Sequence, residues 1–161
     1  MSFLQTLVVF SLEGGRYALS LSAVQGAVRA VEDTPLPKAP AIVLGVINVH
    51  GQIVPVLNIR RRFGLPEREI ALSDHFLLAR TSRRPVALAV DNVTGVLTRP
   101  IEAIIAAETI LPEMEYVRGV VKLEDGLIFI HDLDTFLSLE EESALEEALP
   151  NSHQKGAPAI D

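Results

Sequence analysis

The chain has 161 residues, 48% of them hydrophobic, with a mean hydropathy of +0.31, which is enough apolar material for a compact core and excludes wholesale disorder. No apolar run approaches the roughly 20 residues that cross a bilayer. Met1-Ser2-Phe3 lacks the basic and apolar regions of a secretory signal, and the absence of cysteine excludes disulfides and thiolate chemistry. The net charge of −7 is uneven: residues 1–138 hold 13 bases against 15 acids, and residues 139–161 hold 1 against 6. The body is near neutral, with neither the basic stripe that nucleic acid needs nor a cationic face for anionic lipid, so no nucleic acid and no direct membrane insertion are expected.

In chain order, Thr6 to Leu12 reads as a strand, Glu13-Gly14-Gly15 as a turn, Arg16 to Leu21 as the returning strand and Val24 to Val31 as a third. Three prolines between Asp33 and Pro40 mark a loop. The stretch Val43 to Leu65 is the most informative. β-branched arms flank His50-Gly51 and predict a tight hairpin, with Gly51 supplying a positive φ. Val46 and Ile53 are expected to face the core. Pro55 cannot donate to a ladder, so the outgoing strand is expected at an edge or at a bulge. Asn58 is placed to cap a short helix that carries Arg60, Arg61 and Arg62 and ends at Gly64.

Pro66 to Ser73 reads as a linker. Asp74 to Thr81 and Val86 to Val90 are strands about the turn Arg83-Arg84-Pro85, and Thr94 to Thr98 is extended. Pro100 to Pro112 is expected as a loop with one helical turn. Tyr116 to Leu123 and Leu127 to His131 form a last hairpin across Glu124-Asp125-Gly126, and Asp132 to Leu137 a short helix. Ser138 and Glu141 have capping-box spacing and predict an acidic helix over 139–149, followed by a loose tail over 150–161.

The halves repeat. An offset of 69 carries Ala18–Val28 onto Ala87–Leu97 without gaps, and an offset of 74 carries Gly45-Val46-Ile47 onto Gly119-Val120-Val121 and Asn58 onto Asp132. Each half offers about five short strands and a helical turn. A small sheet removes its edges by curling shut. A mainly β fold of two five-stranded barrels follows, the first mainly residues 5–66 and the second mainly 74–138, with strands free to exchange.

No glycine-rich phosphate cradle occurs, and His50, His75, His131 and His153 fit no ligand pattern, so no catalytic, cofactor or metal site is expected. His131-Asp132 reads as a strand end and a helix cap. Asp132 and Asp134 stand two apart and diverge on a helix. Arg60, Arg61, Arg62 and Arg68 form the one basic cluster, either a solvated face or a surface for an acidic partner.

Leu44-Gly45-Val46-Ile47-Asn48-Val49-His50-Gly51-Gln52-Ile53-Val54-Pro55-Val56 resembles the signature hairpin of the CheW adaptors of bacterial chemotaxis. Thr34–Pro40, Leu88–Val93 and Gly119–Ile128 resemble further segments of the same family, so the likeness covers about residues 5–140. The resemblance implies two intertwined five-stranded SH3-like β-barrels with short helices and a C-terminal helix. It implies a non-enzymatic cytoplasmic scaffold between the cytoplasmic tip of a chemoreceptor and the regulatory domain of a CheA-type histidine kinase. By resemblance the receptor lies in the groove between the barrels, here Val24, Gln25, Val28, Arg29, Asn48, His50, Gly51, Gln52, Ile53, Val90 and Arg99. Kinase contact uses exposed barrel ends, here Arg60, Arg61 and Arg62. The chain departs from the pattern at His50, where arginine is usual, and at Gln25, where a carboxylate is common. Those departures leave room for a paralogous pathway, such as twitching motility, with a retuned receptor surface. A small-molecule sensor using Arg29, His50 or Arg99 in a pocket between the barrels is the reading from a different class.

Overall fold

The computed structural model describes residues 3–106 and 116–149, and these hold eleven strands. They are β1 Leu4–Leu12, β2 Gly15–Ser20, β3 Val24–Arg29, β4 Val43–Val49, β5 Gln52–Leu57, β6 His75–Arg80, β7 Pro85–Val90, β8 Asn92–Pro100, β9 Ile104–Ala106, β10 Val117–Leu123 and β11 Gly126–His131. Two α-helices, α1 (Ile59–Phe63) and α2 (Leu139–Ala148), and 3-10 turns at Leu21–Ala23, Ile101–Ala103 and Leu133–Thr135 complete the described elements. The expected loop after Pro100 contains a 3-10 turn and β9; its remainder to Pro112, like the expected tail over 150–161, lies outside the described residues.

One sheet runs β3-β6-β7-β5-β4 and the other β8-β1-β2-β11-β10-β9. Each takes a hairpin from the opposite half of the chain: β6–β7 joins the first-half strands and β1–β2 the second-half strands. The repeat read in the sequence reappears in this topology. The two parallel pairings, Val56 with Ala87 and Ile130 with Ala18, are equivalent under the offsets of 69 and 74. So are the caps. Asn58 accepts from the Arg61 N–H at 3.2 Å, and Asp132 accepts from the Asp134 N–H at 3.2 Å.

Both sheets close. The chain leaving β3 returns beside β4, where Thr34 and Val46 exchange two backbone hydrogen bonds of 2.8 Å. The chain leaving β8 becomes β9 and pairs with β10. The sixth strand of the second sheet is therefore the continuation of its edge strand, and the architecture is a pair of five-stranded barrels. The repeated glycines stand at these closures. A Cβ on Gly45 would strike the Asp33 carboxylate and lie 2.7 Å from the Thr34 carbonyl; one on Gly119 would lie 2.8 Å from Ile104 Cγ2.

Pro55 lies neither on an edge strand nor at a bulge. Val46, its partner, directs its N–H and C=O to Thr34, so the pair shares no hydrogen bond. The proline nitrogen faces β7, whose ladder with β5 begins only at Val56. No donor is lost. Val46 is buried as expected, but Ile53 is only half-buried; Val54, Val56 and Leu57 are the core residues of β5.

Each barrel has its own apolar interior, Ile47, Val54, Val56 and Phe76 in one and Leu7, Val121, Ile128 and Ile130 in the other. A larger core between them gathers Phe10, Leu12, Leu19, Leu57, Leu77, Leu88 and Phe136. Each leucine fully buried there is worth about 2 kcal/mol. The capping box forms as the sequence predicts: Ser138 Oγ accepts from the Glu141 N–H and Glu141 Oε1 from the Ser138 N–H. Helix α2 docks on this core through the fully buried Leu145, while Leu139 points outward.

Candidate functional site

Nine of the eleven residues assigned by resemblance to a receptor surface lie in one barrel, on β3 at one edge of its sheet and on the β4–β5 hairpin at the other. Strand β3 is an edge strand with Gln25, Val28 and Arg29 exposed and Val24 half-buried. The hairpin β4–β5 turns through two residues between Val49 and Gln52. His50 takes φ 50° and Gly51 φ 86°, so the turn places two positive φ values in succession, where the sequence suggested only the glycine. The Asn48 side chain accepts from the Gly51 N–H at 2.7 Å and holds the turn. His50 stands exposed at its tip beside exposed Gln52, with Asn48 and Ile53 half-buried behind.

The remaining two differ. Val90 is 1% exposed and belongs to the core between the barrels, so it presents no docking surface. Arg99 lies on β8, in the other barrel, with Nη1 donating to the Thr98 carbonyl at 2.9 Å.

The arginine cluster is mostly internal. Arg60, 6% exposed, donates to Glu13 in the β1–β2 turn and to Asp91 after β7. Arg68 donates to both Asp74 oxygens, at 2.7 and 2.8 Å, and to Asp91 at 2.7 Å. Asp91 also accepts from the Glu13 N–H at 2.9 Å, so it is the node that ties both barrels to α1. The paired Arg68 hydrogen bonds hold the Asp74 carboxyl below its usual range despite burial, and Asp74 raises Arg68 in return. Arg62 grips Glu141 of α2 at 2.7 and 2.6 Å and lies over the Tyr116 ring. Burial alone would raise the Glu141 carboxyl, but the Ser138 N–H and Arg62 outweigh it and lower it. Only Arg61 of the triplet is exposed, with a loose pair to Glu67 at 3.3 Å. The expectation of three arginines offered to a kinase therefore reduces to one: α1 uses Arg60 and Arg62 to join structural parts.

The sequence reading missed a cleft of about 330 Å³ between the barrels. Its walls come from β2 and the 3-10 turn after it (Ser20, Ser22), the β6–β7 turn (Arg80, Thr81, Ser82), Arg118 of β10, and His131, Asp132 and Asp134 after β11. No single segment signals it, because four separated stretches build it. The Ser82 N–H donates to Asp134 Oδ1 at 2.7 Å and bridges the barrels across its floor. Arg118 donates to Ser20 Oγ at 2.7 Å. His131 is 4% exposed, with Nδ1 donating to the Tyr116 carbonyl at 3.1 Å and the ring stacked on Phe63 at 4.1 Å. Burial pushes its pKa down to about 4, against the Tyr116 hydrogen bond, so the ring is neutral near pH 7. Its Nε2 has no partner among the described residues.

Among the described residues no group of three or more histidine, aspartate or glutamate side chains is placed to hold a metal ion, and no helix is long and apolar enough to cross a membrane.

Residues 6–141 match the CheW-like domain. A chemotaxis protein CheW of Rhizobium meliloti is 31% identical over 140 residues, 86% of this chain and 90% of that protein. That of Bacillus subtilis is 28% identical over 138 residues, 84% of this chain and 88% of that one. The crystal structure of the scaffolding protein TtCheW from Thermoanaerobacter tengcongensis superimposes with a TM-score of 0.77 at 27% identity, covering 88% of this chain and 96% of that one. With the paired barrels, the repeated closures and the signature hairpin in place, the chain belongs to the CheW-like domain family of chemotaxis scaffolds.

Proposed function

We propose that this chain is a non-enzymatic adaptor that couples the cytoplasmic tip of a chemoreceptor to the regulatory domain of a CheA-type histidine kinase. The observation that carries the reading is the family match across residues 6–141. In this reading the protein acts in the cytoplasm and reaches membrane receptor arrays through its partners. The exposed residues of edge strand β3 and of the β4–β5 tip support a receptor contact. Gln25, Val28, Arg29, His50 and Gln52 form its accessible part, and Arg61 is the member of the arginine triplet available to the kinase.

The test is size-exclusion chromatography of the purified chain with the kinase regulatory domain and a receptor-tip fragment encoded in the same genome. Stable comigration with both supports coupling; migration alone against both overturns it. His50 sharpens the receptor assignment. An imidazole has two ring nitrogens where guanidinium has five N–H donors. His50→Arg should strengthen receptor binding about five- to tenfold, roughly 1 kcal/mol, and an unchanged affinity removes the hairpin tip from the interface.

A further inference from the structure

We propose that the cleft between the barrels binds a small zwitterion of the amino-acid class, its carboxylate on Arg80 and Arg118 and its ammonium on Asp132 and Asp134. The starting point is a contrast with four arginines that join structural parts. Arg60, Arg62, Arg68 and Arg84 all pair with carboxylates. Arg80 and Arg118 make no ion pair among the described residues, although both line one cavity. The same holds for the two aspartates. Asp132 and Asp134 each have Oδ1 engaged by a backbone N–H, of Asp134 and of Ser82, and neither meets a cation.

The guanidinium groups come from opposite barrels and the aspartates from one short turn, so the cleft has a positive and a negative part with no ion pair between them among the described residues. Two cations and two anions sum to zero, which suits a ligand that carries both signs and no net charge. A simple anion would meet Asp132 and Asp134; a simple cation would meet Arg80 and Arg118. Guanidinium forks match carboxylate oxygens in pairs, and aspartate accepts from an ammonium. The volume, about 330 Å³, is at the small end of ligand pockets and fits a molecule of amino-acid size.

His131 also lines the cleft. It is a cavity-lining side chain more than nine-tenths buried, and its Nε2 has no protein donor. With Nδ1–H directed to Tyr116, Nε2 is an acceptor. The hydroxyls of Ser20, Ser22, Thr81 and Ser82 complete a lining that is polar where most of the interbarrel surface is aliphatic. None of the residues proposed for the receptor contact lines the cleft.

The experiment is two-dimensional amide NMR of the full chain with each common free amino acid at millimolar concentration. At least one should shift the amides of Ser20, Ser82, Arg118 and Asp134. The N-acetylated and the carboxamide forms of that amino acid, each lacking one charge, should bind at least tenfold more weakly. Arg118→Met and Asp134→Asn should each weaken binding at least tenfold with the remaining spectrum intact. Arg16→Met, whose partner Asp125 lies outside the cleft, should change nothing. Absence of shifts at these four amides with every amino acid, or equal binding of the acetylated form, overturns the proposal. Kinase and receptor binding are measured separately, so failure here leaves the adaptor reading untouched.

Discussion

The seam between the barrels has two ends with opposite electrostatics. Around Asp91 every charge has a partner: Arg60 meets Glu13 and Asp91, and Arg68 meets Asp74 and Asp91. At the cleft, Arg80, Arg118, Asp132 and Asp134 line one cavity with no ion pair formed among the described residues. Burial explains part of the difference. Arg60 is 6% exposed, where an unpaired cation is intolerable, while Arg80 and Arg118 are exposed and water can solvate them. The paired end ties the barrels to α1, and the two exposed arginines of the open end contribute little to stability.

The sharpest way to break this comparison is to remove one member at each end. Arg60→Ala leaves Glu13 and Asp91 without their shared cation and should destabilise the protein by about 3 kcal/mol, the low end for a broken buried pair because both carboxylates are partly exposed. Urea titration measures it, and a loss near that of a surface change would show that the node is not structural. The next effect concerns His131, at the open end. Unfolded, its ring titrates near 6.5; folded, burial holds it near pKa 4. Between those values the unfolded chain binds a proton that the native chain does not. Stability should therefore fall as pH drops from about 6.5 to about 4, by up to about 3 kcal/mol, and stay flat above. In His131→Leu the slope of melting temperature over that window should flatten, whatever the offset at pH 7.

Glu141→Ala tests a pair farther from the node. It removes the Arg62 contact and half of the capping box, and should cost about 1.5 kcal/mol, with α2 amides exchanging faster with solvent. The smallest effect belongs to the open end: Arg118→Ala should change stability by less than about 0.5 kcal/mol.

Local features were the legible ones. The hairpin turn, the Asn58 and Ser138 caps and the Gly64 stop each rest on a few adjacent residues, and each forms. The repeat, also visible, foretold matching barrels, and its two glycines turn out to mark the closures. What stayed hidden depends on distance along the chain. Arg60 finds its partners 47 and 31 residues away, and Arg62 finds Glu141 at a separation of 79, so a run of arginines that looks solvated is internal. Strand β5 lies between the two cores: Val56 belongs to one and Leu57 to the other. A strand covered on both faces loses the alternation that marks register, which is why Ile53 was a poor core candidate beside Val54. β9 was missed because three residues after a proline carry almost no periodic signal, and its pairing depends on the bare backbone of Gly119.

The crossed hairpins have a consequence for how this molecule comes into being. While only residues up to Ser73 have emerged from a ribosome, β1–β2 and β3–β5 have no finished barrel to enter, because β6–β7 and β10–β11 do not yet exist. The nascent half must wait with open ladders, and the two barrels then complete one another in a single late event. A chain cut in the segment before β6 should yield pieces that are each unfolded alone and that assemble on mixing into one whole scaffold.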